Sequence, residues 1–312
     1  MKKKKKNEKS KIWLVLFFIC LIVAVFTAGM LFKQYIDRQE ANDGFSDLQK
    51  EINGAEDQNG RENGMIPEKD IENGGEEENT EREPDGGTVE ENRESGSREE
   101  IEETGPPPEL DIEIPRKELD WDELREKNPD IYAWIYVPDT TVDYPVLQHP
   151  TDNTYYLDHN MDGTKGYPGC IYTEDFNSRD FSDIHTVIYG HNLKDKTMFS
   201  TLHNFEDAEL FQEDHYIFIY TEEDVFVYQI FAAYEFGSIH LLDNYDYTNE
   251  YIYEDYLRQI YQATDGVSNI RRDIEVTAKD KIVTLSTCTA DHDSGWRFLV
   301  TGVLLNPKEQ GR

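Results

Sequence analysis

Residues 284–300 read TLSTCTADHDSGWRFLV and join the ends of two apolar, β-forming runs. The first run, KIVTLST, ends directly before Cys288, and the second, WRFLVTGVLL, has Arg297 at its start. If the two runs are antiparallel neighbours, the loop between them closes a hairpin and the two side chains lie near each other at one sheet edge. The stretch therefore predicts a β fold that brings a thiol and a guanidinium together.

Six further β-type runs precede this hairpin and are separated by turn residues. They are AWIYV, VDYPVLQ, GCIYTE, HTVIYG, HYIFIYT and DVFVYQIFAAYEF. Two helical stretches interrupt them, KTMFSTLHNF and the longer TNEYIYEDYLRQIYQATDGV, which carries Tyr253, Tyr256, Leu257 and Ile260 along one face. Another helix is predicted in RKELDWDELREKNPD, before the first strand. About eight strands spaced in this way predict a mainly β fold, a barrel or sandwich with added helices.

Charge and cysteine content exclude several classes of protein. The 312 residues carry a formal net charge of -34, which would repel nucleic acid. Three cysteines are too few for a secreted disulfide scaffold or a four-cysteine zinc site. Cys170 is expected to be a small, packed strand residue. The alternative is a second redox site or a disulfide, and a disulfide to Cys288 would remove the thiol from any chemistry.

The N-terminus predicts a membrane anchor. Residues 12–32 form an uncharged apolar run of roughly 21 residues, long enough to span a bilayer as a helix. A signal-peptide core is shorter and is followed by a small-residue cleavage site, so we expect a retained signal anchor, with Cys20 as an ordinary residue of the helix. Residues 1–11 form a basic tail, which predicts a cytoplasmic N-terminus, a single pass and an extracellular remainder.

Residues 33–114 are predicted to be an acidic, disordered linker. Stretches such as ENGGEEENTEREPDGG have too few apolar side chains to offset the entropy of the chain. Like charges extend such a segment, so it would act as a spacer between the membrane and a globular domain at residues 115–312. The alternative is an acidic segment that binds a partner.

Three residues are candidates for chemistry. Cys288 follows a strand and can attack a carbonyl only as a thiolate, so it needs a positive charge or a base nearby. His191, in VIYGHNLKDKTMF, follows another apolar strand, and Gly190 between them lets the backbone turn sharply. Arg297 could hold the oxygen that becomes negative during attack. Each also has an ordinary interpretation, as a partly buried thiol, a surface-loop histidine and a solvated charge.

The hairpin loop TADHDSGW adds two alternatives. His292 could bind a metal ion together with Cys288, although a polar loop needs no such explanation. Asp291 or Asp293 could instead orient the ring of His191.

These motifs, taken together, resemble the class B sortases of Gram-positive bacteria. The residues that carry the resemblance are TLSTC with its downstream arginine, IYGHNLKDKTMFSTL, DNTYYLDHN and NPDIYAWIYVPDTTVDYPVLQ. The likeness extends over about residues 119–305 and includes a helix-bearing insertion around 247–264, before the cysteine strand. It implies an eight-stranded sortase-type β-barrel with N-terminal helices.

The resemblance also implies an activity. The protein would be a membrane-anchored cysteine transpeptidase that cuts the C-terminal sorting signal of a surface protein after threonine. It would then join that threonine, through a thioester, to an amino group of a peptidoglycan precursor or cross-bridge. No cofactor and no metal are implied. The alternatives are a secreted cysteine hydrolase with the same dyad, a pilin-polymerising sortase and, last, a wall-spanning binding module without activity.

By position in these motifs, Cys288 would be the nucleophile, His191 the general acid and base, and Arg297 the group that stabilises substrate and oxyanion. The backbone N–H of Thr289 would assist Arg297. The residues expected to contact the substrate are Ser286, Thr289 and Asn192.

Overall fold

The computed structural model describes residues 2–59, 112–263, 266–290 and 295–305, with side chains between residues 16 and 53 in the first of these ranges. In chain order its strands are β1 (Ile131–Tyr136), β2 (Asp143–Leu147), β3 (Ile171–Tyr172), β4 (His185–Tyr189), β5 (Tyr216–Tyr220), β6 (Val225–Gly237), β7 (Asn269–Ile270), β8 (Ile282–Cys288) and β9 (Trp296–Leu305). All eight predicted runs contain a strand, and β7 is the one additional strand in the part of the chain that the structure describes.

Eight of the strands close into a barrel. Their order is β5-β1-β2-β3-β4-β8-β9-β6, and a ladder between β6 and β5 completes the circle. Most neighbours are antiparallel, but β2 with β3 and β4 with β8 are parallel. The short β7 pairs with β6 beyond the part that β5 covers. The predicted eight-stranded barrel is therefore confirmed.

Helices lie at the N-terminal side of the barrel and between its strands. They are α1 (Lys2–Asn59), α2 (Trp121–Lys127), α3 (Tyr155–Asp158), α4 (Ala208–Phe211), α5 (Leu241–Asn244) and α6 (Glu250–Tyr261), with a 3-10 helix at Ser200–Glu206. The Asp120 side chain accepts a hydrogen bond from the backbone of Glu123, which caps the start of α2. The helix α6 lies in the predicted insertion around 247–264, before the cysteine strand, and α5 precedes that insertion.

The helix α6 covers the outer face of the barrel. Its predicted apolar side chains are all buried, namely Tyr253, Tyr256, Leu257 and Ile260. They join a cluster with Ile282 of β8 and Leu299 of β9, whereas Val283 and Leu285 belong to the cluster inside the barrel. Because side chains alternate along a strand, the even-numbered residues of β8 face the insertion. This alternation decides which way Cys288 points.

The helix α1 contains the apolar run and then docks on the barrel. It is the one helix among the described residues that is long and apolar enough to cross a membrane, by length and composition. Further along, Phe45, Leu48 and Ile52 are buried, with a spacing of three and four residues that places them on one face. The Phe45 ring packs edge-to-face on Tyr144 of β2, with 5.7 Å between ring centroids.

Here the structure differs from the predicted linker. Residues 33–53 are helical, and Ile112 and Ile114 already pack against the barrel core before the predicted boundary at residue 115. The physical reason is that the three apolar side chains of α1 fall on one helical face. The prediction of a linker rested on the acidic average composition, which does not show this spacing. The stretch 60–111 lies outside the described residues, and its predicted disorder stays a prediction.

A buried polar cluster joins α1 to the chain that enters the barrel. Lys117 donates both to Asp143, at 3.0 Å, and to the side-chain oxygen of Asn53, at 2.7 Å. The Asn53 amide and the indole N–H of Trp134 donate to the same carboxylate, at 3.0 and 2.7 Å. The lysine side chain is only 4% exposed, so these partners satisfy a charge that would otherwise be costly to bury.

Candidate active site

The predicted hairpin places Cys288 and Arg297 directly opposite each other, at the end of the antiparallel pair β8 and β9. Val283 and Leu285 of β8 point into the barrel, so Ser286 and Cys288 point outward. Directly opposed residues of an antiparallel pair carry their side chains on the same face. The thiol and the guanidinium therefore share the outer face at one edge of the barrel.

The parallel pairing of β4 with β8 brings His191 to the same edge. Tyr189 lies opposite Ser286, and the backbone N–H of Gly190 donates to the Ser286 carbonyl at 3.1 Å. Asn192, the residue after His191, donates to the Cys288 carbonyl at 3.3 Å, so the histidine loop lies against the end of β8. Both strands run in the same direction, so Cys288, the last residue of β8, and His191, two residues beyond β4, lie at the same end of the pair. The loop of His191 thus joins Cys288 and Arg297 at one edge of the barrel.

Gly190 is needed for space rather than for its backbone angles. A Cβ atom there would lie 2.5 Å from Cδ1 of Ile171 and 2.6 Å from Cδ2 of Phe199, and its φ is not in the left-handed region. Contacts this short do not occur between ordinary Cβ atoms and their neighbours. The sharp turn expected from the sequence is therefore replaced by a close approach of the backbone to two buried side chains.

The ring of His191 is held in one orientation. Its Nε2 lies 2.7 Å from the Leu157 carbonyl and donates a hydrogen bond to it. The Tyr167 ring lies beside it, with 5.2 Å between centroids. Burial lowers the pKa of His191, and the hydrogen bond to Leu157 opposes this shift only in part. Because Nε2 carries a proton, Nδ1 is the basic nitrogen of the neutral ring.

Asn192 holds the main chain that follows β8. Its side-chain amide donates to the carbonyls of Cys288 and Thr289, at 3.3 and 3.2 Å. Thr289 is almost fully buried. Both residues were expected to contact substrate, and the structure instead shows the Asn192 amide engaged with the backbone. Its contacts tie the histidine loop to the cysteine strand.

A second imidazole, not identified from the sequence, lies at the same carbonyl. Nε2 of His203 is 3.0 Å from the Cys288 carbonyl and 3.1 Å from the Asn192 amide nitrogen, because both groups donate to the same oxygen. Its Nδ1 lies 2.5 Å from a Glu206 carboxylate oxygen, and its ring stacks on Phe298. Each ring nitrogen of His203 therefore faces an oxygen atom within hydrogen-bond distance. The only sequence signal was the three-residue spacing of the histidine and the glutamate.

A pocket of about 190 Å³ lies beside Arg297 and Ser286 on the outer face. Ser286, Arg297 and Tyr189 form its floor, and residues 236–241 form its wall. Glu174 links the two, since one of its oxygens accepts hydrogen bonds from His240 of the wall at 2.6 Å and from the Tyr189 hydroxyl at 3.3 Å. Burial raises the pKa of Glu174, against the effect of His240. Sequence reasoning did not identify this carboxylate.

The hairpin loop was expected to offer two further roles. Asp291, His292 and Asp293 lie outside the described residues, so an orienting aspartate or a metal ligand there stays a prediction. Within the part of the chain that the structure describes, no group of three or more His, Cys, Asp and Glu side chains is placed to hold a metal ion.

Cys170 is a packing residue, as predicted. It is 1% exposed and free, and its sulfur lies 3.5 Å from the His159 carbonyl. Burial raises the pKa of its thiol well above the usual range, so it is a poor nucleophile. Cys288 is also free and is partly exposed, so the thiol at the barrel edge is available for chemistry.

The chain is similar in sequence to known proteins. Residues 135–305 match the family model for the sortase domain. The chain is 37% identical over 191 residues to a sortase B of Listeria monocytogenes, covering 59% of this chain and 74% of that protein. It is 31% identical over 170 residues to a sortase B of Staphylococcus aureus, covering 54% of this chain and 66% of that protein.

Solved structures agree. The X-ray structure of Clostridium perfringens sortase B superimposes with a TM-score of 0.53 and 29% identity, covering 60% of this chain and all of that one. A Staphylococcus aureus sortase B–substrate complex gives a TM-score of 0.51 and 30% identity, over 59% of this chain and 83% of that one. The chain therefore belongs to the sortase family, the cysteine transpeptidases that attach proteins to the cell wall, and within it to class B.

Proposed function

We propose that this protein is a membrane-anchored transpeptidase in which Cys288 is the nucleophile, His191 the general acid and base, and Arg297 the oxyanion stabiliser. It cleaves the C-terminal sorting signal of a surface protein after threonine and transfers the protein to a peptidoglycan amine. The apolar part of α1 anchors it, with the N-terminus in the cytoplasm and the barrel outside. Similar enzymes solved with a substrate and with triglycine support a peptide substrate and an amine acceptor.

The reaction has two halves. The Cys288 thiolate attacks the threonine carbonyl, and the guanidinium of Arg297 binds the oxygen that becomes negative. The carbon–nitrogen bond then breaks as His191 donates a proton to the leaving amine, which leaves a thioester on the sulfur. An incoming amine loses its proton to the neutral imidazole and attacks the thioester. The carbon–sulfur bond breaks, and the thiolate is restored.

The described contacts support particular roles for individual atoms in this reaction. Because the Leu157 carbonyl occupies Nε2 of His191, Nδ1 is the nitrogen that gives and takes the proton. The lowered pKa of His191 makes its imidazolium a stronger acid toward the leaving amine. His203 and Asn192 both hydrogen bond to the Cys288 carbonyl and so hold the end of β8 in place. The pocket floored by Ser286 receives the residues next to the scissile bond.

One observation carries the proposal. The register of β8 with β9 pairs Cys288 with Arg297, and the parallel pairing of β4 with β8 leads into the loop of His191 at the same edge, which supports a shared role for the three side chains. A binding module has no need for this combination, and Asn192 adds hydrogen bonds that keep the histidine loop against the cysteine strand.

The test uses the full chain in detergent with a library of peptides that vary around a central threonine. With an added amine, the wild type is expected to give the amide product, and mass spectrometry is expected to find an acyl group on Cys288. Cys288→Ala and His191→Ala should give neither, whereas Cys170→Ala should keep activity. Hydrolysis alone, at any amine concentration, would establish the rival cysteine hydrolase.

Orientation is tested separately on whole cells. A membrane-impermeant maleimide is expected to label Cys288 in intact cells, since Cys170 is buried and Cys20 lies in the apolar run. The matched control is Cys288→Ala, which should remain unlabelled. Labelling that requires lysis would place the barrel inside and contradict the proposed topology.

A further inference from the structure

The loop that carries His191 extends from the edge of the barrel, and its two ends are hydrogen bonded to each other. It leaves β4 at Gly190 and returns at Phe199, whose N–H donates to the His191 carbonyl at 3.0 Å. Asn192 and Met198 also pair as an isolated bridge. Since the two ends of the loop are hydrogen bonded to each other, a shift of its tip is transmitted to the histidine.

The backbone of this loop needs support from outside. Lys196 and Met198 have φ values of 65° and 56°, in the left-handed region that side chains other than glycine rarely adopt. Such conformations persist where the surrounding structure imposes them. One support is Tyr144 of β2, whose hydroxyl accepts from the Met198 N–H at 3.1 Å. Phe45 of α1 packs on that same ring.

The second support is a direct contact with α1. Arg38 and Asn42 both donate to Oδ2 of Asp195 at the tip of the loop, at 2.6 and 3.2 Å. The other oxygen, Oδ1, accepts from the Thr197 hydroxyl at 2.7 Å, so one carboxylate joins helix and loop. Partial burial raises the pKa of the Asp195 carboxyl. The hydrogen bonds from Thr197 and the charge of Arg38 outweigh this effect, so the pKa of Asp195 lies below its usual range.

We propose that α1 positions the catalytic histidine, because Arg38 and Asn42 hold the loop of His191 in place through Asp195. The inference rests on the catalytic role proposed above for His191. Arg38 lies six residues beyond the apolar run, about 9 Å along the helix. The membrane anchor and the catalytic loop are therefore parts of one packed unit, and Arg38, Asn42 and Asp195 are positioning residues that do not touch substrate.

The experiment compares variants of the full chain in detergent micelles with a cleavable peptide. We expect kcat to fall by on the order of ten-fold, with KM unchanged, both in Arg38→Ala and in the double variant Arg38→Ala with Asn42→Ala. A misplacement of about 1 Å can cost about a hundredfold in rate, and a loop that loses one support should shift by less than that. The matched control is Lys50→Ala, which removes an exposed ion pair with Asp47 on the same helix and should leave kcat at the wild-type value.

Two further readouts separate positioning from a general loss of structure. A released loop exposes His191, so its NMR titration midpoint should rise toward the ordinary histidine value, with the signal assigned by its loss in His191→Ala. The reversed pair, Arg38→Glu with Asp195→Lys, should recover most of the kcat that either change removes alone. Thermal unfolding curves check that each variant is folded.

The outcomes distinguish this inference from the proposed function. Wild-type kcat and an unmoved His191 titration in folded Arg38→Ala would overturn the positioning role, while inactivity of His191→Ala would still support the proposed function. Full activity of His191→Ala would instead overturn the proposed function itself. A loss of kcat that the reversed pair does not restore would show that the contact with Asp195 is not its cause.

Discussion

The substitution Gly190→Ala tests how the barrel edge is built. The new Cβ would meet Ile171 Cδ1 at 2.5 Å and Phe199 Cδ2 at 2.6 Å, and both side chains are fully buried. An ordinary contact is 3.4–4 Å, so neighbouring atoms must move by about 1 Å. Overpacking of this kind costs about 1–3 kcal/mol. For a domain of this size each kcal/mol lowers Tm by about 2–4 °C, so the expected drop is about 2–12 °C.

The same displacement of atoms around Gly190 should also lower the catalytic rate. Phe199 returns the histidine loop to the barrel through its bond to the His191 carbonyl, so moving either Gly190 or Phe199 moves the imidazole. A displacement of about 1 Å can reduce the rate about a hundredfold. We expect kcat/KM to fall by more than the loss of folded protein explains, which circular dichroism melting curves and peptide cleavage measure on the same samples.

The matched control is Gly44→Ala in α1. No heavy atom lies within 4 Å of a Cβ built there, and alanine stabilises a helix by about 0.5–1 kcal/mol relative to glycine, so Tm should stay or rise. If Gly190→Ala kept the wild-type Tm and kcat/KM, the close approach would not restrict this position. The explanation of Gly190 by space would then be refuted.

Three more changes are informative. Arg297→Lys should lose most of kcat/KM, because an ammonium cannot replace a planar guanidinium fork, and near-normal kinetics would remove Arg297 from the oxyanion role. Asp143→Ala leaves the Lys117 ammonium buried without its carboxylate and should cost about 3–5 kcal/mol in urea unfolding; a loss below about 1 kcal/mol would contradict this. Burial lowers the pKa of His185 from 6.5 to about 3, so the stability it contributes above pH 6.5 should be lost as pH falls toward 3. His185→Gln should make that dependence shallower, and an identical slope in both proteins would contradict the assignment.

Most of the barrel could be predicted from the sequence because its strands carry their own signal. Runs such as KIVTLST and WRFLVTGVLL are long, apolar and bounded by turn residues, and each forms a strand. The strand β7 has only two residues and a single apolar side chain, Ile270, among polar neighbours, which leaves no apolar run to detect. The buried face of α6 was predicted correctly because four large apolar side chains recur at helical spacing, and all four are buried.

The site could be predicted where residues that are close in the sequence are also close in the structure. A cysteine that ends one strand and an arginine that begins the next must meet if the strands pair, and they do. His203 and Glu174 escaped prediction because their partners, a carbonyl at Cys288 and the ring of His240, are distant in sequence. The docking of α1 was missed for the same reason, since Phe45 lies in a mostly polar stretch of sequence and its partner lies on β2.

The docked end of α1 has a consequence for the length of the acidic stretch that follows it. Lys117, ahead of β1, donates to the side-chain oxygen of Asn53 in α1. Because this contact holds the helix against the chain that enters the barrel, the place of α1 on the barrel does not depend on the residues between them. Shortening or lengthening the acidic stretch 60–111 should therefore leave the docking of α1 and the catalytic rate unchanged.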